Sequence, residues 1–213
     1  MKRYLLLDND GVLVDTEPWY YRAGERALAD VGLALDRDRY LRDMSRGWGV
    51  WEQARDAGAD EAAISRLRVT RNAYYQEYLR TERIEIDGVL EALTALAQHV
   101  RMAVVTTSKR ADFDLIHGHR HILRFMDFVL ARGDYQQAKP HPEPYLTALH
   151  RFAARPAEAL VVEDSSRGLN AAVAAGIDCA VVHNDFTATQ DFTGATHRIT
   201  TLAELTEIVL AAS

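Results

Sequence analysis

Two aspartates one residue apart, Asp8 and Asp10, stand at the end of the apolar run Tyr4-Leu5-Leu6-Leu7 and open the stretch Asp8-Asn9-Asp10-Gly11-Val12-Leu13-Val14-Asp15-Thr16. Side chains on a strand alternate with period two, so this spacing sends both carboxylates to one side, with Cα atoms roughly 6–7 Å apart. Like charges held that close repel. A hard cation between them, a shared proton, or a division of labour between a nucleophile and a proton carrier would each relieve the repulsion. The plain alternative is a solvated turn after an edge strand, because Asp, Asn and Gly are ordinary turn formers.

Two more apolar runs end abruptly in polar residues: Val104-Val105 in Thr106-Thr107, and Val161-Val162 in Glu163-Asp164. In an open α/β sheet the carboxyl ends of the strands line one crevice, where ligands bind. Asp8, Asp10, Thr106, Glu163 and Asp164 are therefore expected to converge. Carboxylates at 8, 10, 163 and 164 make an all-oxygen donor set without His or Cys, which suits Mg²⁺. Lysine occurs only at positions 2, 109 and 139. The Lys139 ammonium and the Thr106 hydroxyl would hold an anion against the metal, and phosphate is the natural one. An aspartate facing a phosphoryl group can attack phosphorus to give an aspartyl-phosphate. A second aspartate can protonate the leaving oxygen and later activate water. Charge neutralisation and in-line positioning would supply most of the barrier reduction.

Taken singly, each residue has a structural reading. Thr106 could cap the next helix, Lys139 could be a surface lysine before Pro140-His141-Pro142, and Glu163-Asp164-Ser165 could be an acidic helix start. Their joint placement favours the crevice.

The elements that must position these groups follow from the pattern of apolar residues. Short continuous apolar runs at 4–7, 102–105, 128–130, 159–162, 180–182 and 197–200 read as strands buried on both faces of a parallel sheet. Helical spacing fills 89–98, 111–123, 142–152, 168–175 and 202–211 between them. This alternation predicts an α/β fold with a doubly wound, Rossmann-like parallel sheet. Residues 16–86 break the rhythm with Ala, Arg, Leu and Glu at helical spacing, and read as an inserted α-helical domain. The core is then expected over 1–15 and 87–213, within the size of one domain carrying an insert.

A net charge of −6 without any dense Lys/Arg run argues against nucleic-acid or anionic-membrane partners. The N-terminal Met-Lys-Arg is followed by an apolar run too short for a signal peptide, and no stretch is long enough to span a membrane. The single cysteine, Cys179, reads as an interior strand residue with no disulfide partner. These features predict a cytoplasmic protein, expected as a monomer or weak homodimer. His117, His119 and His121 could suggest a metal site, but on a helix His119 points away from the other two, and a solvated helix end is the reading adopted.

Four ordered motifs together carry a family resemblance. They are Asp8 to Glu17, Val104-Val105-Thr106-Thr107-Ser108, Lys139-Pro140-His141-Pro142-Glu143, and Val161-Val162-Glu163-Asp164-Ser165 with Gly168, Ala171-Ala172 and Ala174-Ala175-Gly176. The chain resembles the haloacid dehalogenase superfamily, in the subfamily with a helical cap after the first strand that includes phosphoglycolate phosphatases, sugar-phosphate phosphatases and beta-phosphoglucomutase. The resemblance implies Asp8 as nucleophile and Asp10 as general acid/base whose carbonyl also reaches Mg²⁺. It implies Thr106 and Lys139 as phosphate-binding and catalytic groups, with Asp164, Glu163 and Asp8 around the metal. Backbone N–H groups of Asn9, Asp10 and Thr107 would cradle the phosphoryl oxygens. Asn9 departs from the pattern, which more often has an apolar residue there, and Asp87-Gly88-Val89 replaces the common Pro-Gly-Val.

The implied activity is Mg²⁺-dependent hydrolysis of a small phosphorylated metabolite, a sugar phosphate or a phosphoglycolate-like monoester. The alternative is a beta-phosphoglucomutase-like mutase, which uses the same core. Dehalogenases of this type lack the second motif aspartate, since a halide needs no proton, and Asp10 argues against them. Phosphonate hydrolysis requires a cap lysine, and residues 16–86 contain none. A non-catalytic binding protein would be expected to lose a reactive group, and all are present. Leaving-group specificity is expected from cap residues Tyr20, Arg46, Trp48 and Trp51, with Arg46 suited to a second anionic group; packing within the cap is the competing role for the aromatics. Hinges are expected near 15–18 and 84–88, where a lid would pivot.

Overall fold

The structure, a computed structural model, describes residues 1–211. In chain order it comprises β1 (Tyr4–Leu7), then α1 (Glu17–Ala29), α2 (Arg37–Ser45), α3 (Trp51–Asp56) and α4 (Glu61–Thr81). There follow α5 (Val89–Leu96), β2 (Arg101–Lys109), α6 (Arg110–His117), β3 (Met126–Arg132), α7 (Glu143–Phe152), β4 (Ala159–Glu163), α8 (Ser166–Ala174), β5 (Asp178–Val182), β6 (His197–Ile199) and α9 (Leu205–Ala211). The chain divides into two compact units, one of Met1–Asp15 with the chain from Glu85 onward, the other of Thr16–Ile84.

The first unit is an α/β fold around a six-stranded sheet in the order β3-β2-β1-β4-β5-β6, with every pairing parallel. Every residue of β1 and of β4 is buried, as continuous aliphatic runs require when both faces of a sheet are covered. Leu7 lies level with Val104 on one side and Val162 on the other, so the residues that follow these three, Asp8, Val105-Thr106 and Glu163-Asp164, lie at one end of the sheet. The strand order reverses direction between β1 and β4, and the crevice at such a switch point is where doubly wound sheets place their ligands. One side of the core gathers Tyr4, Leu6, Ala103, Val105, Tyr145, Phe152, Val161, Leu169 and Cys179.

Two elements differ from the sequence reading. β2 runs on through Thr106 to Lys109, carrying Thr106 inside the strand. The helix expected over 111–123 stops at His117, and His121–Phe125 form a separate 3₁₀ turn. Gly118 has poor helix propensity. Arg120 then turns extended and donates to Glu85 at 2.8 Å and to the Ile116 carbonyl.

In the second unit α2 and α4 begin at the N-caps Asp36 and Asp60, whose carboxylates accept from the Arg39 and Ala63 N–H groups at 2.8 and 2.7 Å. α1 meets α4 through aromatic side chains: Tyr20 against Tyr75 edge-on at 5.1 Å and Trp19 against Tyr78 at 5.7 Å. Among the described residues, no helix is long and apolar enough to cross a membrane.

Candidate active site

The chain leaves β1 at Leu7, yet the Asp8 N–H still donates to the Val162 carbonyl at 2.9 Å, so the nucleophile candidate is held by the sheet ladder. Asp10 is placed differently from the two-residue strand spacing expected. The Asn9 carbonyl accepts from the Leu13 and Val14 N–H groups at 2.8 and 3.2 Å, and the Gly11 N–H donates to the Val14 carbonyl at 2.8 Å. A tight turn therefore sets Asp10. Gly11 sits at φ 77°, and a Cβ there would lie 2.1 Å from Asp164 Oδ2, so only glycine lets the turn pass this close.

Lys139, on the loop between β3 and α7, is buried with 4% exposure. Its ammonium donates to Asp8 Oδ1 at 2.7 Å, to Glu163 Oε1 at 2.5 Å and to the Val105 carbonyl at 2.8 Å. Three donors and three acceptors match, which leaves the lysine fully committed. Glu163 Oε1 also accepts from the Tyr145 hydroxyl at 2.6 Å, while Oε2 accepts from Ser165 Oγ at 3.1 Å. Gly168 makes room for this carboxylate, since a Cβ there would fall 1.8 Å from Glu163 Cδ. Asp164 Oδ2 accepts from Asn184 Nδ2 at 2.7 Å. Asp10 Oδ2 accepts from Ser108 Oγ at 2.5 Å and, more distantly, from Thr106 Oγ1 at 3.5 Å. Thr106 is 1% exposed, whereas Thr107 is exposed.

Burial pushes the Asp8 carboxyl up to about 8; the Lys139 ammonium opposes this, and the Glu163 and Asp10 carboxylates add to it. Burial weakens the hold of Lys139 on its proton, but the Asp8 and Glu163 carboxylates outweigh it and keep the ammonium charged. Asp8, Glu163 and Asp164 are all buried and offer carboxylate oxygens within 4.8 Å of one another. Buried carboxylates so grouped, with one lysine between two of them, suit a hard divalent cation, and the donor set is all oxygen.

Asp8, Asn9, Asp10, Thr106, Lys139, Glu163 and Asp164 thus meet at the carboxyl end of the sheet. Tyr20, Arg46, Trp48 and Trp51 all belong to the helical unit. There Tyr20 lies beneath the Arg71 guanidinium at 4.1 Å, Trp51 is buried beside Arg68 and Arg71, and Arg46 stacks at 5.1 Å on a half-exposed Trp48. His117 is buried, with His119 and His121 exposed. Among the described residues, the acidic group is the cluster with metal-ligand geometry.

The sequence places Ser108 in the second motif without a role, and singles out neither Tyr145 nor Asn184. Ser108 was within reach, being two residues past Thr106 in the same strand end. Tyr145 and Asn184 carry no local signal, because their partners lie 18 and 20 residues away.

The chain is similar to known proteins. A family model described as haloacid dehalogenase-like hydrolase matches residues 5–182. Protein CbbY of Rhodobacter capsulatus is 30% identical over 211 residues, covering 93% of each chain. A phosphorylated carbohydrates phosphatase of Thermotoga maritima is 28% identical, covering 84% of this chain and 85% of its own. A crystal structure of a CbbY variant from Rhodobacter sphaeroides in complex with xylulose-(1,5)bisphosphate superposes with a TM-score of 0.80 at 25% identity, covering 96% of both chains.

Proposed function

The chain belongs to the haloacid dehalogenase-like hydrolase family, and on that premise we propose that it hydrolyses the phosphomonoester of a small phosphorylated metabolite, a sugar phosphate or phosphoglycolate-like compound, through phosphorylated Asp8. The observation that carries this reading is the buried Lys139 bridge between Asp8 and Glu163, with Asp10 held next to it by Ser108. The phosphorylated carbohydrates phosphatase and the sugar bisphosphate complex among its relatives support the substrate class.

In the first step an Asp8 oxygen attacks phosphorus. The new O–P bond forms as the ester P–O bond breaks, and Asp10 gives its proton to the departing oxygen. In the second step Asp10 takes a proton from water, whose oxygen attacks phosphorus. The Asp8 O–P bond then breaks, releasing inorganic phosphate and restoring both carboxyl groups. The Thr106 hydroxyl and the backbone N–H groups of Asn9, Asp10 and Thr107 hold the phosphoryl oxygens, while the Lys139 ammonium, bonded to Asp8, neutralises charge on the nucleophile and the phosphoryl group as it develops. Asp8, Glu163, Asp164 and the Asp10 carbonyl would hold Mg²⁺, which when bound supplies further charge neutralisation at the phosphoryl group. Discrimination among leaving groups is assigned to Tyr20, Arg46, Trp48 and Trp51 of the helical unit.

The test is phosphate release from a panel of phosphorylated metabolites, with Mg²⁺ and with chelator, accompanied by analysis for isomerised sugar phosphates. Release that requires Mg²⁺ and is abolished in Asp8→Asn is expected. Release unchanged in that variant, or no release from any monoester, would contradict the reading.

A further inference from the structure

We infer that Asn184, on the loop that follows β5, is a positioning residue for the divalent cation: its carboxamide fixes the Asp164 carboxylate as a ligand. This rests on the reading that Asp8, Glu163 and Asp164 hold such a cation.

Asn184 Nδ2 donates to Asp164 Oδ2 at 2.7 Å, while Asn184 Oδ1 accepts from the Phe186 and Thr187 N–H groups at 2.9 and 3.0 Å. The second pair of bonds is an Asx turn, which locks the side chain to its own loop. It also assigns the amide's orientation, since the backbone N–H groups need an acceptor and the carboxylate needs a donor. Both ends of the carboxamide are therefore committed.

Gly11 closes the arrangement from the other side. A Cβ on it would come within 2.1 Å of Asp164 Oδ2 and 3.0 Å of Asn184 Nδ2, so the Asp8–Asp10 turn passes directly against this hydrogen bond. The plane of the Asp164 carboxylate is set by the β5 loop on one side and by the turn on the other. A neutral amide does this without bringing a positive charge that would compete with the cation. Partners that orient metal ligands in this way contribute about 10–100-fold in metal affinity.

The experiment measures Mg²⁺ binding by calorimetry on the full chain, as wild type, Asn184→Ala and Asn184→Ser, with thermal stability in chelator recorded for each. Serine keeps an acceptor for the loop N–H groups but is too short to reach Asp164, so it separates the carboxylate contact from the loop contact. Both variants are expected to bind Mg²⁺ about 10–100-fold more weakly, with phosphate release recovering at saturating Mg²⁺. A folded Asn184→Ser variant with wild-type Mg²⁺ affinity would overturn the inference, whatever becomes of Asn184→Ala. A wild-type protein that binds no Mg²⁺ would overturn the metal reading beneath it, which is a distinguishable failure.

Discussion

His117 Nε2 lies 2.7 Å from Asn9 Oδ1, joining α6 to the residue between the two aspartates through a hydrogen bond that is wholly buried. This contact accounts for the polar residue that stood out in the first motif. Asn9 is not turn filler; it replaces an apolar contact by a polar one. The pair is only half satisfied, because Asn9 Nδ2 and His117 Nδ1 have no hydrogen-bond partner among the described residues. Removing one member leaves the other buried without its partner, at a cost of about 1–3 kcal/mol, whereas removing both leaves nothing unpaired. Asn9→Leu and His117→Leu should each lower stability in urea unfolding, and the double variant should lose clearly less than the sum. Additive losses would show that the two side chains are not coupled.

The same histidine predicts a pH dependence. Burial holds His117 down to about 4 from its ordinary 6.5, with Arg120 acting in the same sense and Asp10 opposing. The unfolded chain therefore binds the proton more readily, so stability is complete above 6.5 and declines as pH falls towards 4. At ~1.4 kcal/mol per pH unit the full effect is about 3 kcal/mol. Urea unfolding across this range should show a steeper acid decline in wild type than in His117→Leu. Parallel profiles would exclude His117 as the source.

Asp8 predicts the opposite window. Its carboxyl, raised to about 8 chiefly by burial, favours the proton in the folded chain, so its contribution to stability in the absence of a cation is present below 3.8 and is lost as pH rises through 8. A divalent cation must displace that proton to bind. Mg²⁺ should therefore raise the melting temperature more above pH 8 than well below it, and binding at neutral pH should release protons. An increase independent of pH would place the cation away from Asp8.

Asp10 is assigned to carry the proton of the leaving group, and its loss should depend on how much that proton matters. Asp10→Asn should slow hydrolysis of a sugar phosphate by about 10²–10⁴-fold. The first step with an acyl phosphate, whose leaving group needs no proton, should slow far less. Equal slowing of both would assign Asp10 to positioning rather than proton transfer.

Much of this architecture was legible in the sequence, for identifiable reasons. The strands announced themselves because runs such as Leu5-Leu6-Leu7 and Leu160-Val161-Val162 are buried on both faces, and a sheet edge or a helix surface does not read that way. The meeting of Asp8, Thr106, Glu163 and Asp164 followed from strand ends sharing one side of a parallel sheet. What stayed hidden depended on contacts between distant segments. The turn that displaces Asp10 from strand spacing is fixed by Gly11 against Asp164, the extended course of Arg120 after α6 by its reach to Glu85, and the place of His117 by Asn9. None of these has a period, so none can be read along the chain.

Phosphoryl transfer through Asp8 is tested most directly by mass spectrometry of the protein quenched in acid during turnover with acetyl phosphate and Mg²⁺, comparing wild type, Asp10→Asn and Asp8→Asn. One added phosphoryl group is expected on the peptide carrying Asp8, accumulating further in Asp10→Asn because water is no longer activated, and absent from Asp8→Asn. Turnover with no phosphorylated peptide in Asp10→Asn, or a phosphoryl group that persists in Asp8→Asn, would rule out Asp8 as the group that carries phosphate.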